Sequence, residues 1–146
     1  MIAIRSATPH DATELARLLT QLGHPTAPSD ITANWDAWRN EHNDALVAPR
    51  EDGTLAGVVT VHSMLVLHRR RPVGRITSLI VDAPVRGEGI GRALMTAAEA
   101  VLAARGCGLL EITSNARRTD AHAFYERLGY AKTSVRLAKE IAPAHG

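Results

Sequence analysis

The 146-residue sequence predicts an α/β domain in which a mixed, mainly antiparallel central sheet is flanked by about four helices. Three observations lead there. Strand-like and helix-like patterns alternate along the chain without an internal repeat or a low-complexity linker. An Asp52-Gly53 pair, a strong hairpin signal, joins two apolar runs. A glycine-rich turn, VRGEGIG at 85–91, leads from a third apolar run into a long helical stripe.

Each element has a local reason. IAIRSA at 2–7 alternates as a short strand. Thr8 is an N-cap, Pro9 suits the first helical position and Asp11 completes a capping box; Leu15, Leu18, Leu19 and Leu22 then recur at helical spacing until Gly23 ends the helix. Residues 24–29 contain two prolines and read as a loop, after which Ile31, Trp35 and Trp38 mark a second, short helix. ALVAP (45–49) and LAGVVTVHSMLVL (55–67) are the hairpin strands, and RITSLIV (75–81) is a fourth strand following the turn-like HRRRPVG. The helix after the glycines carries Ile90, Leu94, Ala97, Ala98, Val101 and Leu102 on one face and stops at Gly106. GLLEIT (108–113) is a fifth strand, DAHAFYERL (120–128) a fourth helix closed by Gly129, and KTSVRLAK (132–139) a last strand.

Composition bounds the class. At 45% hydrophobic residues, 146 residues make one domain spanning 1–146, long enough to bury roughly two thirds of the unfolded surface. The single cysteine, Cys107, cannot form an internal disulfide, and no Cys/His spacing resembles a metal site, so no metal is expected. Asp11 and Glu14 fall in the first helical pattern and no long apolar segment occurs; the expectation is a cytoplasmic protein with neither leader nor membrane span. A net charge of +2 without a dense basic face argues against a nucleic-acid partner. The run His68–Arg71 reads as a solvated hairpin tip.

The glycines between strand and helix ask for a backbone approach. A dinucleotide fingerprint fails, because counting from Gly87 its third glycine falls on Arg92. A P-loop fails because neither Lys132 nor Lys139 follows a glycine. What remains, Arg86-x-x-Gly89-x-Gly91, suits an anion: glycines let the backbone crowd it, and free helix amides with the helix dipole favour its charge. A tight turn needing left-handed glycines would account for one or two of them.

LIVDAPVRGEGIGRALM (79–95), followed by LEITSN and then AHAFYERLGY, resembles the GCN5-related N-acetyltransferase (GNAT) superfamily over essentially the whole chain. The resemblance implies that the pyrophosphate of acetyl-coenzyme A is held by the backbone of Arg86, Gly87, Glu88, Gly89, Ile90 and Gly91 with the Arg92 side chain. It implies that Leu79, Ile80 and Val81 offer strand backbone to the pantetheine arm and the acetyl carbonyl, and that Asn115 touches pantetheine. In the FYERLGY context it makes Tyr125 the acid that protonates the departing thiolate; Phe124, Leu128 and Tyr130 are expected in the core.

The acceptor side is less marked. A primary ammonium has a pKa near 10.4, so exposing its lone pair at neutral pH costs about 4 to 5 kcal/mol, and a proton acceptor is expected. Where many family members carry a glutamate on the fourth strand, this chain has Thr77, followed by Ser78. Glu111, on the neighbouring strand, is the candidate base, directly or through water, although a paired or solvated carboxylate is the plainer reading. His122, three residues before Tyr125, shares its helix face. The expected activity is acetyl transfer from acetyl-coenzyme A to a primary amine, a small molecule or a peptide, by direct attack in a ternary complex. A noncatalytic acetyl-coenzyme A sensor and a small nucleic-acid-binding module are the alternatives. A homodimer stays open, since apolar residues on a sheet edge and in a core look alike in one sequence.

Overall fold

The computed structural model describes residues 2–113 and 119–143. The element order is β1 (Arg5–Ser6), α1 (Ala12–Leu22), α2 (Pro28–Asn40), β2 (Asn43–Pro49), β3 (Leu55–Met64), β4 (Val73–Val81), α3 (Ile90–Ala104), β5 (Leu109–Ile112) and α4 (Thr119–Arg127). The strands form one sheet in the order β1-β2-β3-β4-β5. It is antiparallel as far as β4, and β5 joins β4 in parallel after the α3 crossover. This is the expected mixed, mainly antiparallel sheet with four helices. The chain divides into two compact units, Met1–Ile112 and Thr113–Gly146; the sheet and α1–α3 belong to the first, α4 to the second.

Local chemistry sets the boundaries. The Thr8 amide donates to Asp11 Oδ2 at 2.9 Å, half of the expected capping box, and Pro9–Asp11 makes a 3₁₀ turn before α1. Gly23, in the left-handed region at φ 108°, ends that helix. α2 begins at Pro28, two residues earlier than the sequence suggested, because the proline takes the first helical position and Asp30 Oδ2 accepts the Ala27 amide at 2.9 Å. β4 likewise begins at Val73, inside the stretch read as a turn.

Residues alternating along β3 face opposite sides. A Cβ at Gly57 would lie 2.9 Å from Leu94 Cδ1 of α3 and 2.8 Å from the Ile80 carbonyl, so only glycine lets α3 approach β3 so closely. Its neighbour Val58 packs in the cluster with Leu15, Leu18 and Trp35 from α1 and α2. The sheet is therefore covered on both faces, and the middle of β2 and β3 is buried almost continuously. Full burial of a residue such as Leu18, at 0% exposure, contributes about 2 kcal/mol.

On α3 the buried stripe is Ile90, Leu94, Met95, Ala98 and Leu102; Ala97 and Val101, expected on that face, are half-buried at its margin. The expected last strand at 132–139 is absent. Residues 131–143 carry no strand and are exposed, Val135 at 85% and Leu137 at 91%. The alternation of SVRL satisfies a strand pattern, but a strand also needs a ladder partner, and these residues have none among those described.

Candidate functional site

The site begins where β4 loses regularity. Across the β3–β4 ladder Thr60 pairs with Ser78 and Val61 with Ile76, which leaves Thr77 as the extra residue of a β-bulge. The bulge turns two hydroxyls to one face, where Thr60 Oγ1 hydrogen-bonds both Thr77 Oγ1, at 2.7 Å, and Ser78 Oγ. β5 pairs only with Val73–Ile76, before the bulge. From Thr77 to Val81, then, the β5 side of β4 has no strand partner among the described residues. Leu79, Ile80 and Val81 lie on this unpaired stretch.

The chain leaves β4 through a buried ionic hub that sequence reasoning missed. Asp82, 5% exposed, accepts from Arg17 Nη1 at 3.0 Å, Arg50 Nη2 at 2.9 Å and Gln21 Nε2 at 3.0 Å, while its own amide donates to the Ala56 carbonyl at 2.8 Å. Arg17 also forks onto Glu14, with both bonds at 2.9 Å. The Arg17 guanidinium, with Gln21 and Arg50, holds the Asp82 carboxyl well below the usual carboxylate range against the opposing effect of burial. Arg17 is correspondingly raised, first by Glu14 and then by Asp82. The visible signal was an aspartate closing the apolar run LIV, with Glu14 and Arg17 one helical turn apart on α1.

A 3₁₀ turn, Ala83–Val85, carries the chain from this anchor to the glycines. Gly87 and Gly89 both have φ of 85°, so a turn requirement does explain these two; Gly91 lies within α3 and is not among the positive-φ glycines. The first α3 bond runs from the Ala93 amide to the Gly89 carbonyl at 3.1 Å. The amides of Ile90, Gly91 and Arg92 precede it and point out of the helix start. Arg86, Glu88 and Arg92 are exposed around them. Arg86 Nε donates to the Val81 carbonyl at 3.1 Å, tying the turn back to the strand end. Outward amides, two flanking arginines and an unpaired strand edge fit a pyrophosphate followed by an amide-bearing arm.

On the α1–α2 face of the sheet lies a cavity of about 300 Å³. Its walls are apolar, from Leu15, Leu19, Ile31, Trp35, Trp38 and Val58, and its polar lining comes from Asp30, Asn34, Thr60 and Ser78. The two tryptophan rings are 5.4 Å apart and inclined at 44°. Ser78 and Thr60 belong both to the cavity and to the bulge, so the cavity abuts the start of the unpaired β4 edge.

Glu111 stands opposite Arg75 in the β4–β5 ladder, its Oε1 3.7 Å from Arg75 Nε, with both side chains nearly half exposed. Leu79 lies four residues further along β4, roughly 13 Å at the strand rise. Glu111 thus stands beside β4 two residues before the bulge at Thr77 and four before Leu79. In the second unit, Tyr125 is half-buried, its ring edge-on to Phe124 at 5.3 Å and to Tyr130 at 6.3 Å. Its carbonyl accepts from the Leu128 and Tyr130 amides as the helix ends at Gly129, φ 96°. His122 is half-buried on the same helix. Asn115 falls outside the described residues. No group of three or more His, Cys, Asp or Glu among the described residues is placed to hold a metal. No helix among them is long and apolar enough to cross a membrane.

A sheet opened at a bulge beside a glycine-rich helix start is an arrangement that can hold an extended ligand ending in phosphates. Residues 10–130 match the Acetyltransferase (GNAT) family, and the chain belongs to it. It is 36% identical over 90 residues, 62% of its length, to an aminoalkylphosphonate N-acetyltransferase of Salmonella typhimurium; the aligned part spans only 58% of that protein. It is 29% identical over 133 residues, 89% of this chain and 86% of the other, to a type 1 aminoglycoside N(6′)-acetyltransferase of Stenotrophomonas maltophilia. Among solved structures, an acetyltransferase of Trypanosoma brucei superposes with a TM-score of 0.86 at 21% identity, covering 97% of this chain and all of that one. Glucosamine-6-phosphate N-acetyltransferase of Arabidopsis thaliana gives 0.85 at 20% identity, covering 97% and 99%. Those two likenesses show the fold.

Proposed function

We propose that this chain transfers the acetyl group of acetyl-coenzyme A to a primary amine by direct attack within a ternary complex. The observation that carries the reading is the continuity of the unpaired β4 edge, Leu79–Val81, with the helix-start amides of residues 90–92. Acetyl-coenzyme A would supply the acyl group as an activated thioester. Residues 86–91 and Arg92 hold its pyrophosphate in this reading, and the β4 backbone orients its arm, with Asn115 as a further contact. The family match runs from 10 to 130, across the division at residue 112, which supports reading 1–146 as one functional domain. Both curated relatives are named for acceptors carrying an amino group, which supports an amine here.

Proton movements are assigned to this chain's own groups. Tyr125 gives its phenolic proton to the leaving thiolate. At Thr77, where a carboxylate would serve as base, the bulge instead presents hydroxyls, which are too weakly basic to hold the amine's proton. Glu111, paired with Arg75 two residues before the bulge, takes that proton directly or through water. The missing carboxylate favours a second reading, a noncatalytic domain that senses acetyl-coenzyme A. Measurement of free coenzyme A thiol across a panel of amines separates the two. Release that depends on an amine supports transfer, whereas calorimetric binding of acetyl-coenzyme A without release from any amine supports the sensor.

A further inference from the structure

The cavity on the α1–α2 face carries chemistry beyond the identity of the reaction. Its aromatic walls are Trp35 and Trp38, the chain's two tryptophans. Asp30 is the only charged side chain lining it, and no lysine, arginine or histidine does so among the described residues. Asp30 is fixed on the first turn of α2 by the Ala27 amide, and Asn34 follows one helical turn later.

We infer that this cavity takes the acceptor, and that the acceptor is a small primary amine with a compact, uncharged, apolar body. The inference rests on the acetyl-transfer reading only for what happens to the amine once bound. Three features select this class. Apolar walls reward removal of hydrocarbon surface from water, at about 25 cal/mol per Å². Indole faces and a lone carboxylate attract a cation and repel an anion. A volume of about 300 Å³, at the lower end for small-molecule sites, excludes an oligosaccharide. An amine bearing a phosphonate or carboxylate would bring its negative charge into a cavity with no cation to meet it, at a heavy desolvation cost. Ser78 and Thr60 place the polar end of the cavity at the bulge, beside the β4 edge. The amino group is directed there, and the body lies against the wall formed by the two tryptophans.

Because both tryptophans line the cavity, their fluorescence reports occupancy without catalysis. Phenethylamine and 2-aminoethylphosphonate are titrated against the intact protein, and coenzyme A release is measured with each. The expected result is a saturable fluorescence change with phenethylamine at a Kd at least about tenfold lower than for the phosphonate, with the same order in kcat/KM. Trp38→Ala should weaken phenethylamine binding by about tenfold or more, with Trp35 still reporting; Trp38→Phe should recover most of the loss. Asp30→Asn, which can keep the Ala27 cap, should narrow the preference for the cation. Equal or tighter binding of 2-aminoethylphosphonate, or no fluorescence change with phenethylamine, overturns the inference. If phenethylamine binds preferentially but releases no coenzyme A, the cavity assignment stands and the acetyl-transfer reading falls. If only the phosphonate is acetylated, the transfer reading stands and the inference falls.

Discussion

Tyr125 is the residue at which the proposed chemistry is most directly testable. A thiol with a pKa near 8.5 leaves tolerably as thiolate, so an acid helps the step without being indispensable; such assistance is typically worth 10² to 10⁴. The ring sits edge-on to Phe124 and Tyr130, contacts that phenylalanine preserves. Tyr125→Phe should therefore melt within a few degrees of wild type and bind acetyl-coenzyme A normally, while kcat falls by roughly ten- to a thousandfold, the low end allowing for water as acid. Equal kcat under conditions where chemistry limits the rate would leave Tyr125 as a packing residue. The FYERLGY context made this tyrosine visible in the sequence, because the motif is local. The Asp82 hub was missed for the opposite reason: the aspartate after LIV is a local signal, but its partners Arg17, Gln21 and Arg50 come from distant segments, and nothing in a one-dimensional pattern joins them to it.

At the scale of elements, the glycine turn separates two effects that the sequence joined. Gly89 caps α3 at φ 85°, where a β-branched side chain is strained, whereas Gly91 sits inside the helix. Gly89→Val should lower stability by roughly 2 kcal/mol as well as weakening cofactor binding. Gly91→Val should weaken acetyl-coenzyme A binding by about tenfold or more while costing far less in melting temperature. Calorimetry beside thermal melts distinguishes these outcomes, and wild-type affinity in Gly91→Val would remove the pyrophosphate from this helix start. Elements with strong local punctuation were legible: the Thr8-Pro9 start, the Asp52-Gly53 hairpin, and the helix stops at Gly23 and Gly106. The bulge at Thr77 was not, since it exists only in the register between β3 and β4. The strand expected at 132–139 failed on the same ground, because alternation specifies a face and leaves the partner unspecified.

For the molecule as a whole, the Asp82 hub makes stability depend on acidity in a definite direction. The folded carboxyl lies below its unfolded value near 3.9, so its contribution is fully present above about pH 5 and is lost as the pH falls below 4 toward the folded value. Asp82→Asn should melt lower than wild type at neutral pH, by the equivalent of roughly 2 kcal/mol; Arg17 and Arg50 remain partly wet, which keeps this below the full cost of a broken buried pair. The gap should close in acid, and a gap that stays constant down to pH 3 would mean the carboxylate charge is not what matters. Glu14 and Asp11, held low by Arg17 and Arg5, keep some acid sensitivity in the variant. The same hub has a kinetic consequence. It ties Asp82 to Arg17, 65 residues away, while β2, β3 and β4 pair with their sequence neighbours. Hairpins with short loops close first, and a contact spanning so long a loop forms after them. An interaction absent from the folding transition state slows only the reverse reaction. In a chevron experiment Asp82→Asn should leave the refolding limb in place and raise the unfolding rate, so that the ion cluster acts as a latch on an already assembled sheet.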